Sequence, residues 1–121
     1  MKVFIAHLMY NRSNEDILNE RKVMENKIKE VFKDQDIEII ESYFTDYTPE
    51  TTSLEFLGRA ISALGKADMA VFMPNASECK GCRIEMKCCI EYGIPIRYYI
   101  NTPDGAKIAA DVRDVDTYLS K

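Results

Sequence analysis

The sequence contains no apolar run long enough to cross a bilayer. Its N-terminus, MKVFIAHLMYNRSNED, turns polar too soon for a secretory signal peptide. No membrane is therefore expected as a partner, and the expected location is cytoplasmic. An excess of basic residues is missing too. The net charge is −4 and the pI is near 5.0, which argues against nonspecific binding to a nucleic-acid polymer, although a local basic pocket for one phosphate stays compatible. Neither GxGxxG nor GxxxxGK[ST] occurs, so the glycine loop of a dinucleotide fold and the P-loop are both absent. There is no internal repeat, low-complexity segment or linker. Histidine is nearly absent: His7 is the only one, and it is remote in sequence from the cysteines. Cys79-Lys-Gly-Cys82 has a zinc-knuckle spacing, but a structural zinc site needs two more well-placed ligands, so no metal and no cofactor are expected.

What is present fits one globular domain over residues 1–121, with 46% hydrophobic and 30% charged residues and enough chain to bury a core without staples. The four cysteines, Cys79, Cys82, Cys88 and Cys89, read as free thiols and small core residues in a reducing compartment. Cys82, close to a helix start, is a candidate for a lowered thiol pKa and for oxidation.

The chain is organised around residues 67–96, ADMAVFMPNASECKGCRIEMKCCIEYGIPI. Met69 to Met73 is apolar without alternation, which suits a parallel strand buried on both faces. A polar loop runs to Gly81. From Cys82 to Tyr92 the pattern is helical, with Ile84, Cys88 and Cys89 expected to face inward. Gly93 occupies the position of a left-handed C-terminal cap, and Ile94-Pro95-Ile96 opens the next strand. Glu85 then falls in the first turn of a helix that follows a strand's carboxyl end, where ligands bind in open α/β sheets. Acidic residues also favour first turns for dipole reasons alone.

Elsewhere, Lys2 to Leu8 is the first strand. Ser13 caps a helix whose buried stripe is Ile17, Met24, Ile28 and Val31, with Leu18 and Phe32 beside it. Ile37 to Ser42 is the second strand. Thr52 and Glu55 form a capping box for a helix that buries Leu54, Leu57, Ile61 and Leu64 and stops at Gly65. The fourth strand ends near Ile100 and Asn101 to Gly105 is a turn. Residues 107–121 fit either a helix or a short helix after a fifth edge strand. Strands alternating with helices give an α/β fold with a parallel sheet in the order 2-1-3-4 and right-handed crossovers. The switch point lies between strands 1 and 3. Tyr10, Asn11 and Arg12, with His7 at the strand end, then face Asn75, Cys79, Gly81, Cys82, Arg83 and Glu85. This set suits a small polar ligand with hydroxyls, an anionic group and an aromatic base. Gly81 allows close backbone approach, and free amides at the helix start can hold the anion. Arginines in such loops are also commonly solvated surface.

The segments KVFIAHLMYNR, ALGKADMAVFMPN and KGCRIEMKCCIEYGIPI resemble the nucleoside 2-deoxyribosyltransferase-like superfamily, in particular its small bacterial and phage proteins of the DUF4406 type. The resemblance covers about residues 1–100 and is most specific from Gly81 to Ile96. It implies a flavodoxin/Rossmann-like three-layer sandwich with a parallel sheet of four or five strands in the order 2-1-3-4(-5). It also implies cleavage of an N-glycosidic bond by a glutamate nucleophile in a Gly-x-x-x-Glu stretch, here Gly81 to Glu85, and a homodimer or larger homo-oligomer whose subunits complete each other's sites. Three positions depart from the family pattern. A strand-1 tyrosine falls on Phe4, an aspartate eight residues before Asp68 falls on Ala60, and a serine of the nucleotide-binding loop falls on Cys79.

Three functions follow as alternatives. The first is a nucleoside or nucleotide N-glycosidase, or a (deoxy)ribosyltransferase, with Glu85 as nucleophile. The second is an inactive pocket that senses or sequesters a nucleotide-derived signal, for example an ADP-ribose derivative, as in phage counter-defence. The third is a structural or protein-interaction role with an incidental pocket.

Overall fold

The computed structural model describes residues 1–6, 13–43, 48–73 and 78–109. The elements run β1 (Lys2–Ala6), α1 (Asn14–Val31), β2 (Glu38–Ile39), α2 (Ser53–Leu64), β3 (Met69–Phe72), α3 (Lys80–Tyr92), β4 (Ile96–Thr102) and β5 (Gly105–Ala109). Among the described residues the strands form one sheet in the order β2-β1-β3-β4-β5. β1 is parallel to both β2 and β3, and β3 is parallel to β4, as the alternation of strands and helices requires.

The fifth strand departs from an all-parallel sheet. β5 pairs antiparallel with β4, from Tyr98↔Ala109 to Thr102↔Gly105, so the sheet is mixed and curls into a half-barrel. Local chemistry accounts for the reversal. The Thr102 hydroxyl donates to the Gly105 carbonyl at 2.7 Å and accepts from the Asp104 amide at 3.2 Å. Gly105 lies at φ +109°, where a side chain would be strained. The turn is therefore shorter than the expected Asn101–Gly105, and Asn101 and Thr102 belong to β4. The fifth edge strand is present; residues 110–121 lie outside the described residues.

Strand alternation divides the core into two layers of packing. Phe4, Ala6, Ala70 and Phe72 join Ala60 and Leu64 of α2 and Cys82 and Cys89 of α3. Val3, Ile5, Met69 and Val71 point the other way and join Met24 and Ile28 of α1. Helices therefore cover both faces, which is why β1 and β3 read as unbroken apolar runs. At the amino end of the central pair, Asp68 accepts from the Lys2 amide at 2.7 Å and donates its own amide to the Lys2 carbonyl at 2.8 Å.

Three buried stripes differ from expectation. On α1 the buried residues are Ile17, Arg21, Met24 and Ile28, while Leu18 and Val31 are exposed. The 17-21-24-28 spacing holds one face toward the sheet, and Arg21 fits there because its guanidinium donates to the Ser42 hydroxyl at 3.0 Å. On α2, Ala60 and Leu64 are buried and Leu54 is 76% exposed, since a first-turn side chain leans toward the helix start, away from the core. β2 is only Glu38–Ile39 rather than Ile37–Ser42. Beyond it, the Ser42 hydroxyl donates to the Ile5 carbonyl at 3.1 Å and takes the place of a ladder bond. The third stripe, on α3, shapes the candidate site.

Candidate functional site

Ala6 and Phe72 are registered partners in the parallel β1–β3 pair. The chain leaves β1 toward α1 on one face and leaves β3 toward α3 on the other, so the switch point falls between the carboxyl ends of these strands. Residues 7–12 and 74–77 follow those ends directly. His7, Tyr10, Asn11, Arg12 and Asn75 thus lie outside the described residues. Cys79, Gly81, Cys82, Arg83 and Glu85 are described, and all five belong to the start of α3.

α3 begins at Lys80, two residues before the expected start. Cys79 is its N-cap and makes no side-chain capping bond; its carbonyl accepts from the Arg83 amide at 2.9 Å. The amides of Lys80, Gly81 and Cys82 precede the first intrahelical donor and are oriented to receive an anion. Gly81 is half-buried, and a Cβ there would meet Leu57 Cδ1 of α2 at 3.7 Å, an ordinary contact. Packing therefore does not require glycine at this position. Arg83 is on the exposed side of the helix.

The earlier start puts Glu85 in the second turn, beyond the reach of the dipole argument that makes first-turn acids ordinary. The inward face also differs from expectation. Cys82, Glu85 and Cys89 are buried, whereas Ile84 is 38% exposed and Cys88 half-buried. Beneath α3 the sheet presents Phe4 and Phe72, which are fully buried, and small thiols complement large rings better than a second bulky side chain would. The i, i+3, i+7 spacing of Cys82, Glu85 and Cys89 was a readable signal for this face, but the apolar Ile84 favoured the neighbouring one.

Glu85 is 8% exposed, and among the described residues its carboxylate has no hydrogen-bond or ion-pair partner. Burial pushes its pKa up to about 7. The Cys82 thiol is also pushed well up, by burial first, then by a hydrogen bond and charge interaction with Cys79, and then by Glu85. That reverses the lowered value expected from its place near a helix start. Cys89 rises to about 11 through burial, with smaller effects of Cys88 and Glu85. The four cysteines are free thiols, and among the described residues no group of three His, Cys, Asp or Glu side chains could hold a metal ion.

Two depressions lie near β2. One, about 230 Å³, is lined by residues that include Arg21, Glu25 and Glu41; the other, about 390 Å³, includes Arg59, Ser62 and Lys66. Neither is lined by Glu85. Among the described residues no helix is long and apolar enough to cross a membrane. No family model, curated protein or solved structure matches this chain.

What the described geometry offers chemically is one acid–base or nucleophilic group in a dry setting. A carboxyl with a pKa near 7 is partly ionised at neutral pH. Its ionised form lacks the solvation that would blunt its attack on an electron-poor carbon.

Proposed function

We propose that this protein binds a nucleoside or nucleotide at the carboxyl ends of β1 and β3 and acts on its N-glycosidic bond with Glu85 as the nucleophile. The observation that supports this reading most is Glu85 itself. It is a nine-tenths buried carboxylate without a described partner, on the helix that follows the central strand. A buried charge of this kind costs stability, and such arrangements gather at working sites. As the base departs, positive charge develops at C1′ of the sugar, and a desolvated carboxylate stabilises it by Coulomb attraction before bonding to it. Water then releases the sugar in a hydrolase, or an acceptor base takes it in a transferase. The open amides at the start of α3, with Arg83 and Arg12, suit the phosphate of a nucleotide. His7, Tyr10, Asn11 and Asn75 would line the sugar and base from the segments after β1 and β3. In this reading the fold is a flavodoxin/Rossmann-like three-layer sandwich whose last strand has been reversed. The protein works without a metal or cofactor, in the cytoplasm, as a homodimer or larger homo-oligomer.

A second reading has its own support. Phe4 and Ala60, at the positions where the resembled family carries a hydroxyl and a carboxylate, are buried apolar members of the cluster that holds Cys82 and Cys89. Glu85 then has no described group to exchange protons with the leaving base. On this reading the pocket binds a nucleotide-derived signal, for example an ADP-ribose derivative, and does not consume it.

Base release from a panel of nucleosides and nucleotides decides between the two. An enzyme releases base at a rate that rises with pH through about 7 as Glu85 ionises. Glu85→Gln then lowers the rate by several orders of magnitude while affinity changes by about tenfold or less. A binder releases no base, yet its melting temperature rises with ligand, and Glu85→Gln weakens binding by about 1–3 kcal/mol. Turnover and binding both untouched by Glu85→Gln would remove Glu85 from the site.

A further inference from the structure

The cysteines at the start of α3 do nothing in the reaction above beyond lining it, yet two of them are placed for chemistry of their own. Cys79 is the N-cap and Cys82 the third helical residue, so both side chains rise from the same side of one turn. Cys79 acts on the Cys82 thiol through a side-chain hydrogen bond and a charge interaction, both of which favour the protonated form of Cys82. Cys79 is spared the usual N-cap duty, because its side chain caps no amide. Between the two, Gly81 brings no side chain to the pair, and Lys80 is exposed.

We propose that Cys79 and Cys82 form a reversible disulfide by thiol–disulfide exchange with a low-molecular-weight disulfide, which makes the start of α3 a redox-modification site. The two thiols have unequal roles. Cys79 is half-buried and can be reached from solvent, whereas Cys82 is 3% exposed and cannot meet an outside disulfide first. In the first exchange the Cys79 thiol loses its proton and its sulfur attacks one sulfur of the incoming disulfide. A bond forms between them, the incoming S–S bond breaks, and one half departs as a thiolate that takes up the proton. In the second, Cys82 loses its proton and attacks the Cys79 sulfur. The protein disulfide forms and the other half leaves as a thiol. The protein dithiol is oxidised by two electrons, and one external disulfide is reduced to two thiols.

Burial holds the Cys82 thiol protonated, so the second exchange needs a proton acceptor. Glu85, three residues on along the same buried face and with a pKa of about 7, is suited to that task. Cys88 and Cys89 offer no rival pair. They are adjacent in the middle of a helix, where side chains diverge and bridging them would distort the backbone. The inference does not rest on the N-glycosidic reading, because no substrate takes part in it.

The test is equilibration of the reduced, full-length protein with glutathione buffers of graded oxidation, followed by acid quenching, alkylation and peptide mapping. Trypsin cuts after Lys80 and Arg83, so a Cys79–Cys82 bridge ties the peptide ending in Lys80 to Gly81-Cys82-Arg83, while Cys88 and Cys89 leave together on a later peptide. The expected result is loss of two of the four alkylatable thiols, with that crosslink, reversed by excess reduced glutathione. Cys82→Ser halts at a glutathione adduct on Cys79. Cys79→Ser leaves Cys82 alkylatable over the time that fully converts the wild type. Glu85→Gln slows the second exchange and leaves the first unchanged. The proposal is overturned by a lasting glutathione adduct on wild-type Cys79, by a crosslink or adduct confined to Cys88 or Cys89, or by four alkylatable thiols at every ratio. The wild-type map alone decides it, whether or not a variant folds.

Discussion

At the scale of single residues, the cost of burying Glu85 is the informative quantity. Its carboxyl pKa is about 7 in the folded protein against an ordinary 4.5. Because the folded value is the higher one, the folded state holds the extra proton between these two pH values, and stability falls as pH rises through that window. Below about pH 4.5 the penalty is absent, and above about pH 7 it is complete, at about 3 kcal/mol. Glu85→Gln should therefore raise unfolding stability at about pH 8 and bring no gain at about pH 4, a comparison that urea melts at the two pH values can make. An equal gain at both would mean that the carboxylate is solvated. Gly81 gives the complementary case. Since a Cβ there meets only an ordinary contact with Leu57, Gly81→Ala should leave stability unchanged or raise it by up to about 1 kcal/mol. If a ligand phosphate approaches that backbone, the same change weakens ligand binding, and an affinity left intact would argue that nothing approaches it. The sequence identified Glu85 as the residue to watch, from its place after an apolar strand and a glycine. Its burial was not legible there, because helical periodicity gives the spacing of a face and not which of two adjacent faces the sheet accepts.

At the scale of elements, ends were easier to read than faces. The Ser13 side chain accepts from the Asp16 amide and the Thr52 side chain from the Glu55 amide, and Gly93 takes φ +71° at the end of α3. Each is a local matter, settled within one turn by residues adjacent in sequence. β2 and the inner face of α1 depend instead on a partner far along the chain. The Arg21 guanidinium donates to Ser42, and Ser42 donates to the Ile5 carbonyl, so one hydroxyl joins α1, the segment after β2, and β1. Burial lowers the arginine's pKa, while Glu41 and Glu25 act in the opposite sense. An arginine in an otherwise apolar stripe reads as surface until the acceptor that permits its burial is known. Ser42→Ala removes that acceptor and leaves a buried guanidinium donor and a buried carbonyl without it, at a cost of about 2 kcal/mol. Ser42→Thr keeps the hydroxyl and should recover most of the loss. Equal destabilisation by both variants, read from urea melts, would mean that the volume of the side chain matters there and the bond does not.

At the scale of the whole molecule, the strand order was legible because connection rules leave few choices. Apolar runs separated by capped helices require parallel neighbours and right-handed crossovers, which place β1 and β3 at the centre. The reversal at β5 was not fixed in the same way, since a turn rich in Pro, Asp and Gly allows either a hairpin or an exit into a helix. This architecture makes stability uneven. β1 lies between β2 and β3, β3 lies between β1 and β4, and Val3, Ala70, Val71 and Phe72 are wholly buried beneath helices on both faces. Opening their amides requires stripping at least one helical layer, so they should exchange hydrogen only through global unfolding. Among the described residues β2 pairs through Glu38 and Ile39, with Glu38 exposed and Ile39 half-buried, and β5 has no neighbour on its outer side. Their amides should open through local fraying, with free energies at least about 2 kcal/mol below the global value. Added urea would separate the two classes. Exchange at Ile5 and Val71 should follow the full denaturant slope of unfolding, and exchange at Ile40, whose amide donates to the Val3 carbonyl at 2.9 Å, should be nearly flat. A steep slope at Ile40 would place the β2 edge in the global cooperative unit, and the Arg21–Ser42 link would contribute to that, because it ties the segment after β2 to both a helix and a central strand, beside the packing of Ile39 on the same core.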